Sequence, residues 1–170
     1  MNPPYESILE IGYGSGVLLP TLASMAKAVY GIDIKSDCAK IGHNLSKLGV
    51  QVNLAKADIL TADYQEESFD LIVAVSVFEH IQDLVQVLNK LSGFLRREGH
   101  LLVGMPRVDN FMKMAFPLIG CNNIQAHHIT NYKQLIKASE GMFSLVKFSG
   151  MPSGIPAFAG LYFNMLFCKH

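Results

Sequence analysis

An α/β fold is predicted, a three-layer, doubly wound and mostly parallel sheet with helices on both faces. Three observations predict it. Short β-like runs alternate with helical runs along most of the 170 residues, the pattern that builds parallel sheets. Phe69 to Val75 is a nearly continuous apolar run, as a strand covered on both faces requires. Towards the end, two strand-like runs follow each other with no helix between them. That predicts an antiparallel C-terminal edge strand, paired as a hairpin.

The elements follow in order. Ser7-Ile8-Leu9-Glu10-Ile11 is the first strand candidate, and Val17 to Lys27 reads as a helix with Ala23 and Ala26 small enough for close packing. Val29 to Asp33 is the second strand. Ser36 is the expected N-cap of the next helix. Its apolar stripe is Cys38, Ile41, Leu45 and Leu48, and Gly49 is placed to terminate it. Val50 to Ala55 is the third strand and Phe69 to Val75 the fourth. Leu84, Leu88, Leu91 and Leu95 mark one face of a helix expected to run to near Gly99, and His100 to Met105 is the fifth strand. Residues 106–126 show no period. Thr130 is the expected cap of a last helix that uses Leu135 and Ile136. Phe143–Phe148 and Leu161–Cys168 are the final strand pair.

Composition removes several classes. Half the residues are hydrophobic and 16% are charged, which excludes a disordered chain. Lys+Arg and Asp+Glu are both 14, so the formal net charge is zero. Phosphate-based recognition of nucleic acid needs a basic surplus, so no nucleic-acid partner is expected. Cys38, Cys121 and Cys168 are odd in number and lack CxxC spacing, so neither zinc nor a disulfide framework is implied. No metal site is expected. The first residues carry no basic and apolar leader. The most apolar stretch, Ile155 to Cys168, is broken by Pro156, Gly160 and Asn164 and is too short to span a membrane. A cytoplasmic protein is the expectation, with oligomeric state open.

The chemistry concentrates where the first strand runs into Gly12-Tyr13-Gly14-Ser15-Gly16 and then a helix. Glycine permits positive φ in a tight turn and lets a ligand touch bare backbone. The helix that follows aims its free N–H groups at that ligand. A phosphate-binding P-loop would need Gly-Lys-Ser/Thr, and no lysine precedes Lys27. A dinucleotide site wants G-x-G-x-x-G, yet Val17 stands where its third glycine belongs. Asp33 ends the second strand, 21 residues beyond Gly12, where a carboxylate can accept from ribose hydroxyls.

Two further segments carry a resemblance. Phe69-Asp70, an apolar run, and Glu79-His80-Ile81 form one; Arg96-Arg97-Glu98-Gly99-His100 before an apolar strand forms the other. With Glu10-Ile11-Gly12-Tyr13-Gly14-Ser15-Gly16, they resemble the class I S-adenosylmethionine-dependent methyltransferases, of the small-molecule, type 11 kind. His100 departs from the pattern, standing where a second glycine is common. The resemblance covers roughly residues 6 to 105 and is weaker beyond, through His127-His128-Ile129-Thr130.

The resemblance implies a Rossmann-like, seven-stranded methyltransferase fold, one domain over residues 1–170 without the usual N-terminal covering helices. It implies S-adenosylmethionine as cofactor, S-adenosylhomocysteine as product and a small-molecule methyl acceptor. Cofactor contacts would come from Glu10, Gly12, Tyr13, Gly14, Ser15 and Gly16, with Asp33 and Ile34 at the ribose. Asp58 and Ile59 would hold the adenine, and Val75, Ser76 and His80 would line the methionine end. Asp70 reads as structural. Transfer is a direct in-line displacement, so the protein mainly aligns the reactants. Where a base is needed, His127, His128 and His80 are the candidates. Tyr132 reads as packing.

Residues 107–126, with Phe111, Met112, Met114, Phe116, Pro117 and Leu118, would suit a lid over an apolar acceptor. Asn2-Pro3-Pro4-Tyr5 copies a motif of DNA amino-methyltransferases. That motif belongs at the end of a fourth strand, and here Val75-Ser76-Val77-Phe78 already fills the place, so it reads as an extended lead-in. The alternatives are a cofactor-binding module of this fold without activity, and an NAD-dependent oxidoreductase, which Val17 opposes.

Overall fold

Side chains along β1 (Tyr5–Ile11) point alternately into two apolar layers, and those layers organise the molecule. The computed structural model describes residues 5–107, 129–152 and 160–170. In chain order the elements after β1 are α1 (Leu19–Met25), β2 (Ala26–Asp33), α2 (Cys38–Lys47), β3 (Asn53–Lys56) and β4 (Phe69–Val75). A 3₁₀ turn (Phe78–His80) leads to α3 (Leu84–Phe94), β5 (Leu95–Pro106), α4 (Tyr132–Ser139), β6 (Phe143–Met151) and β7 (Tyr162–Lys169). Ile8, Val29, Leu71 and Val73 pack with Leu19 and Leu22 of α1 and Leu45 of α2 on one face of the sheet. Leu9, Ile11, Ile32, Ile72 and Ala74 pack with Leu84, Leu88 and Leu91 of α3 and Leu135 of α4 on the other.

The seven strands lie in the order β3-β2-β1-β4-β5-β7-β6. β1 to β5 are mutually parallel, and β7 runs antiparallel to both neighbours. The expected three-layer architecture and C-terminal antiparallel pair are therefore present. The outermost strand is β6, while the C-terminal β7 lies inside it.

Several local expectations shift, each for a physical reason. The first helix is shorter than Val17–Lys27: it starts at Leu19 beside Pro20, and Ala26 already pairs with Tyr5 in the sheet. The N-cap of α2 is Asp37, whose carboxylate accepts from Lys40 N, and the Ser36 hydroxyl donates to Gly14 O instead. Likewise Asn131 caps α4 through a capping box with Gln134, and Thr130 Oγ1 donates to Ile81 O. β3 is confined to four residues. Helix α3 stops at Phe94, and Leu95 pairs with Phe69 as the first residue of β5. The chain bulges before His100 pairs with Leu71. Gly99 is required in that bulge, since a Cβ there would meet Arg96 O at 2.8 Å.

Asp70 ties three strands together. Its Oδ2 accepts from Glu6 N at 2.7 Å and Ser7 N at 2.9 Å, and Oδ1 accepts from Arg96 at 2.5 Å. Asp70→Ala strands two backbone donors and a guanidinium, so it is expected to destabilise by about 3 kcal/mol. Urea unfolding checks this, and cofactor-site binding should survive wherever the variant is folded. No helix among the described residues is long and apolar enough to cross a membrane.

Candidate functional site

The strand order reverses at β1, with β2 on one side and β4 on the other. Open α/β sheets bind ligands at such a point, outside the carboxyl ends of the strands. A cavity of about 380 Å³ lies there, lined by residues at or just beyond the carboxyl ends of β1, β2, β3 and β4.

The glycine turn forms one wall. Gly12, Gly14 and Gly16 have φ of 71°, 53° and 80°, a region L side chains rarely enter. A Cβ on Gly12 would collide with Val77 Cγ2, and one on Gly16 would meet Ile41 Cγ2 at 2.9 Å. At Gly14 the nearest atom would be Gly12 O at 4.0 Å, so the wall there is bare backbone facing open space. Gly12 N donates to Ile32 O, and Gly16 N to Tyr13 O, which closes the turn on itself.

Asp33 locks the turn to the end of β2. Its Oδ2 accepts from Gly14 N at 3.0 Å, and Oδ1 accepts from Lys35 N at 2.7 Å and Ser36 N at 2.8 Å. Partial burial works against its charge, but the N–H groups of Lys35, Ser36 and Gly14 outweigh it, so its pKa lies below the usual 3.8. Asp33 stays ionised, and Oδ2, with one donor, retains acceptor capacity. Asp58 follows β3 and accepts from Leu60 N through Oδ1 at 2.8 Å. Ile34, Ile59, Val77 and Ile81 make the rest of the wall largely apolar.

The structure thus brings Gly12, Gly14, Asp33, Ile34, Asp58, Ile59, Ser76 and His80 to one cavity. Other expected residues lie elsewhere. Glu10 is buried beneath the turn, 4% exposed, and its Oε2 has no hydrogen-bond partner. Burial, then the charge of Asp33, pushes its pKa up to about 7. The Tyr13 ring is turned into the apolar layer with α1 and α2, against Gly31, and burial followed by the charges of Cys38, Asp33 and Asp37 pushes its pKa up to about 12. Ser15 and Val75 are exposed beside the cavity without lining it, and Gly16 packs under α2. His127, His128 and the 107–126 lid fall outside the described residues, save Arg107. Ile11 and Ile32, strand residues not expected at the site, also line the cavity, as do Lys35, Ala57, Val77 and Ile81. The last four sit in irregular stretches after strands, where no period marks them, while the two isoleucines look like any core strand residue.

Ser76 closes the cavity at the end of β4 with φ 56°. Its N–H donates to Gly104 O at 2.8 Å, and its hydroxyl shares a 3.0 Å hydrogen bond with Tyr162 Oη. A non-glycine residue held in this region stores strain, a feature concentrated at ligand sites.

Comparison with known proteins agrees with this geometry. A family model described as a methyltransferase domain matches residues 9–103. A ubiquinone biosynthesis O-methyltransferase of Coxiella burnetii is 26% identical over 141 residues, covering 79% of this chain and 59% of that protein. The chain therefore spans about three fifths of the length of the curated relatives it matches first. Among solved structures, the N-methyltransferase NodS of Bradyrhizobium japonicum WM9, in complex with S-adenosyl-L-homocysteine, has a TM-score of 0.73 at 21% identity, covering 97% of this chain and 78% of that one. A putative sarcosine dimethylglycine methyltransferase of Galdieria sulphuraria has a TM-score of 0.75 at 14% identity, covering 99% of this chain and 79% of its own.

Proposed function

The chain belongs to the methyltransferase domain family, and from that premise we propose that it binds S-adenosylmethionine in the cavity beside β1 and transfers its methyl group to a small-molecule acceptor. The observation that carries this is the meeting of a bare-backbone wall at Gly14 with the carboxylates of Asp33 and Asp58 around one partly apolar cavity. The residues fit the cofactor. Open space at Gly14 admits close backbone approach, and the buried Oε2 of Glu10, beneath the turn, has no hydrogen-bond partner among the described residues.

When bound, S-adenosylmethionine supplies a methyl group made electrophilic by its sulfonium. The chain's own contribution is position. Asp33, held rigid by three N–H donors, presents Oδ2 to the ribose hydroxyls. Asp58, whose Oδ2 takes no hydrogen bond among the described residues, accepts from the adenine amino group while Ile59 covers the ring. Ser76, Val77 and His80 border the methionine end. Alignment of this kind is worth about 7–11 kcal/mol of barrier in well-oriented reactions. O-methylation, the activity in the printed name of the Coxiella burnetii relative, is the form of the reaction favoured here.

Titration calorimetry with S-adenosylhomocysteine tests the binding, with NADH alongside. Binding of the homocysteine nucleoside and silence with NADH are expected; the reverse overturns the assignment. Asp33→Ala should weaken S-adenosylhomocysteine binding by about 100-fold, the loss of charge-assisted bonds to two hydroxyls. Unchanged affinity in that variant would identify another acid as the ribose partner.

A further inference from the structure

Polar groups that the cofactor reading leaves unused converge on the far side of Ser76. Because β7 is antiparallel, its first residues lie against the carboxyl end of β5: Tyr162 pairs with Pro106 and Asn164 with Gly104. Tyr162 and Asn164 share one face of β7, since Phe163 and Met165 between and beyond them are buried on the other, Phe163 against Tyr132 and Phe148 and Met165 in the layer of α3 and α4. Gly104 makes the room, as a Cβ there would meet Tyr162 Oη at 2.9 Å and Asn164 Oδ1 at 3.3 Å. Tyr162 Oη and Asn164 Oδ1 thus gather above Gly104, and Tyr162 Oη is hydrogen-bonded to Ser76 Oγ, whose residue lines the cavity.

Glu79 stands behind them. It is 1% exposed, its Oε2 has no hydrogen-bond partner, and its backbone carbonyl accepts from Ile129 N and Thr130 N. The 3₁₀ turn that carries it also places Val77 and His80 on the cavity wall. Burial raises the pKa of Glu79 above the usual carboxyl range. Burial also raises Tyr162, with the Ser76 hydrogen bond opposing and the nearby Glu79 charge adding to the rise.

We propose that Ser76, Tyr162 and Asn164, backed by Glu79, form the acceptor-holding face of the site, and that the group they hold is an un-ionised hydroxyl. This rests on the cofactor reading above. A hydroxyl needs one donor and one acceptor, which a Ser–Tyr pair beside a side-chain amide supplies in either sense. An ammonium needs exposed negative charge. Asp33 and Asp58 lie on β2 and beyond β3, across β1 from this face, and Glu79 is sealed from solvent. Tyr162 acts here as a specificity-determining residue: its hydroxyl touches the acceptor, and Ser76 fixes its direction.

Ligand-detected NMR on protein saturated with S-adenosylhomocysteine tests this, with phenol, benzylamine and toluene as probes. Wild type is expected to bind phenol at least ten-fold more tightly than toluene or benzylamine. Tyr162→Phe should bring phenol to the level of toluene while its melting temperature and affinity for S-adenosylhomocysteine stay unchanged. Gly104→Ala, which displaces the Tyr162 hydroxyl, should do the same. Preference for benzylamine, or phenol binding untouched by both variants, overturns the proposal. Loss of S-adenosylhomocysteine binding by wild type would overturn the cofactor reading instead.

Discussion

Gly14→Val protein is expected to fold and to give no measurable heat with S-adenosylhomocysteine, a loss of at least 100-fold in affinity. The glycine has φ 53°, and a Cβ built on it comes no nearer to the protein than Gly12 O at 4.0 Å, an ordinary contact. The valine therefore projects into the space the ligand needs. Forcing a β-branched residue into this backbone region costs roughly 1–2 kcal/mol. For a protein of this size that lowers Tm by about 4 °C, which a thermal melt will register as a modest shift. Gly12 offers the contrast. There a Cβ runs into Val77, so Gly12→Val should lose both stability and binding. A Gly14→Val protein that folds and still binds would place the ligand away from the turn.

The second large effect is a fall in the stability of the ligand-free protein with rising pH, governed by Glu10. Its pKa is about 7 in the folded state against 4.5 for an ordinary glutamate. Between those values the folded protein keeps a proton that the unfolded chain has released, so each unit of rising pH lowers stability by about 1.4 kcal/mol. The contribution is full below pH 4.5 and is gone above about 7, a change of about 3 kcal/mol. Glu79, shifted the same way by burial, adds to the trend, whereas Asp33 is lowered and acts only at more acid pH. Urea unfolding at pH 5 and pH 8 measures the slope, and Glu10→Gln should flatten it by the Glu10 share. An equal slope in that variant would mean that Glu10 ionises freely in the folded state.

Residue patterns carried the frame of the molecule further than its details. β4 was legible to the residue, because a run buried on both faces leaves no ambiguity of period. Helix ends were harder. Leu95 satisfies the spacing of α3 and is buried just as fully as the first residue of β5, so burial alone does not tell the two apart. Both N-caps fell one residue late, at Asp37 and Asn131, since the hydroxyls of Ser36 and Thr130 serve contacts distant in sequence.

In the cavity, the glycines and Asp33 and Asp58 were readable because turn geometry and charge restrict the choice of residue. Val77 and Ile81 were not, as apolar residues in an aperiodic stretch look alike whether they line a cavity or pack a core. Tyr162 was out of reach for another reason. It lies 86 residues from Ser76 and meets it only through the placement of β7.

That placement also makes one strand the sole bridge to the sheet's outer edge. Apart from β7, no described strand pairs with β6, so the outer strand is joined to the rest of the sheet only through β7. The last two strands therefore attach to the parallel part of the sheet as one unit, along the β5 edge. The β5–β7 pairs join residues as distant in sequence as the β1–β4 pairs of the parallel core, so the rim that holds Tyr162 exists only where both ends of the chain have found the same sheet.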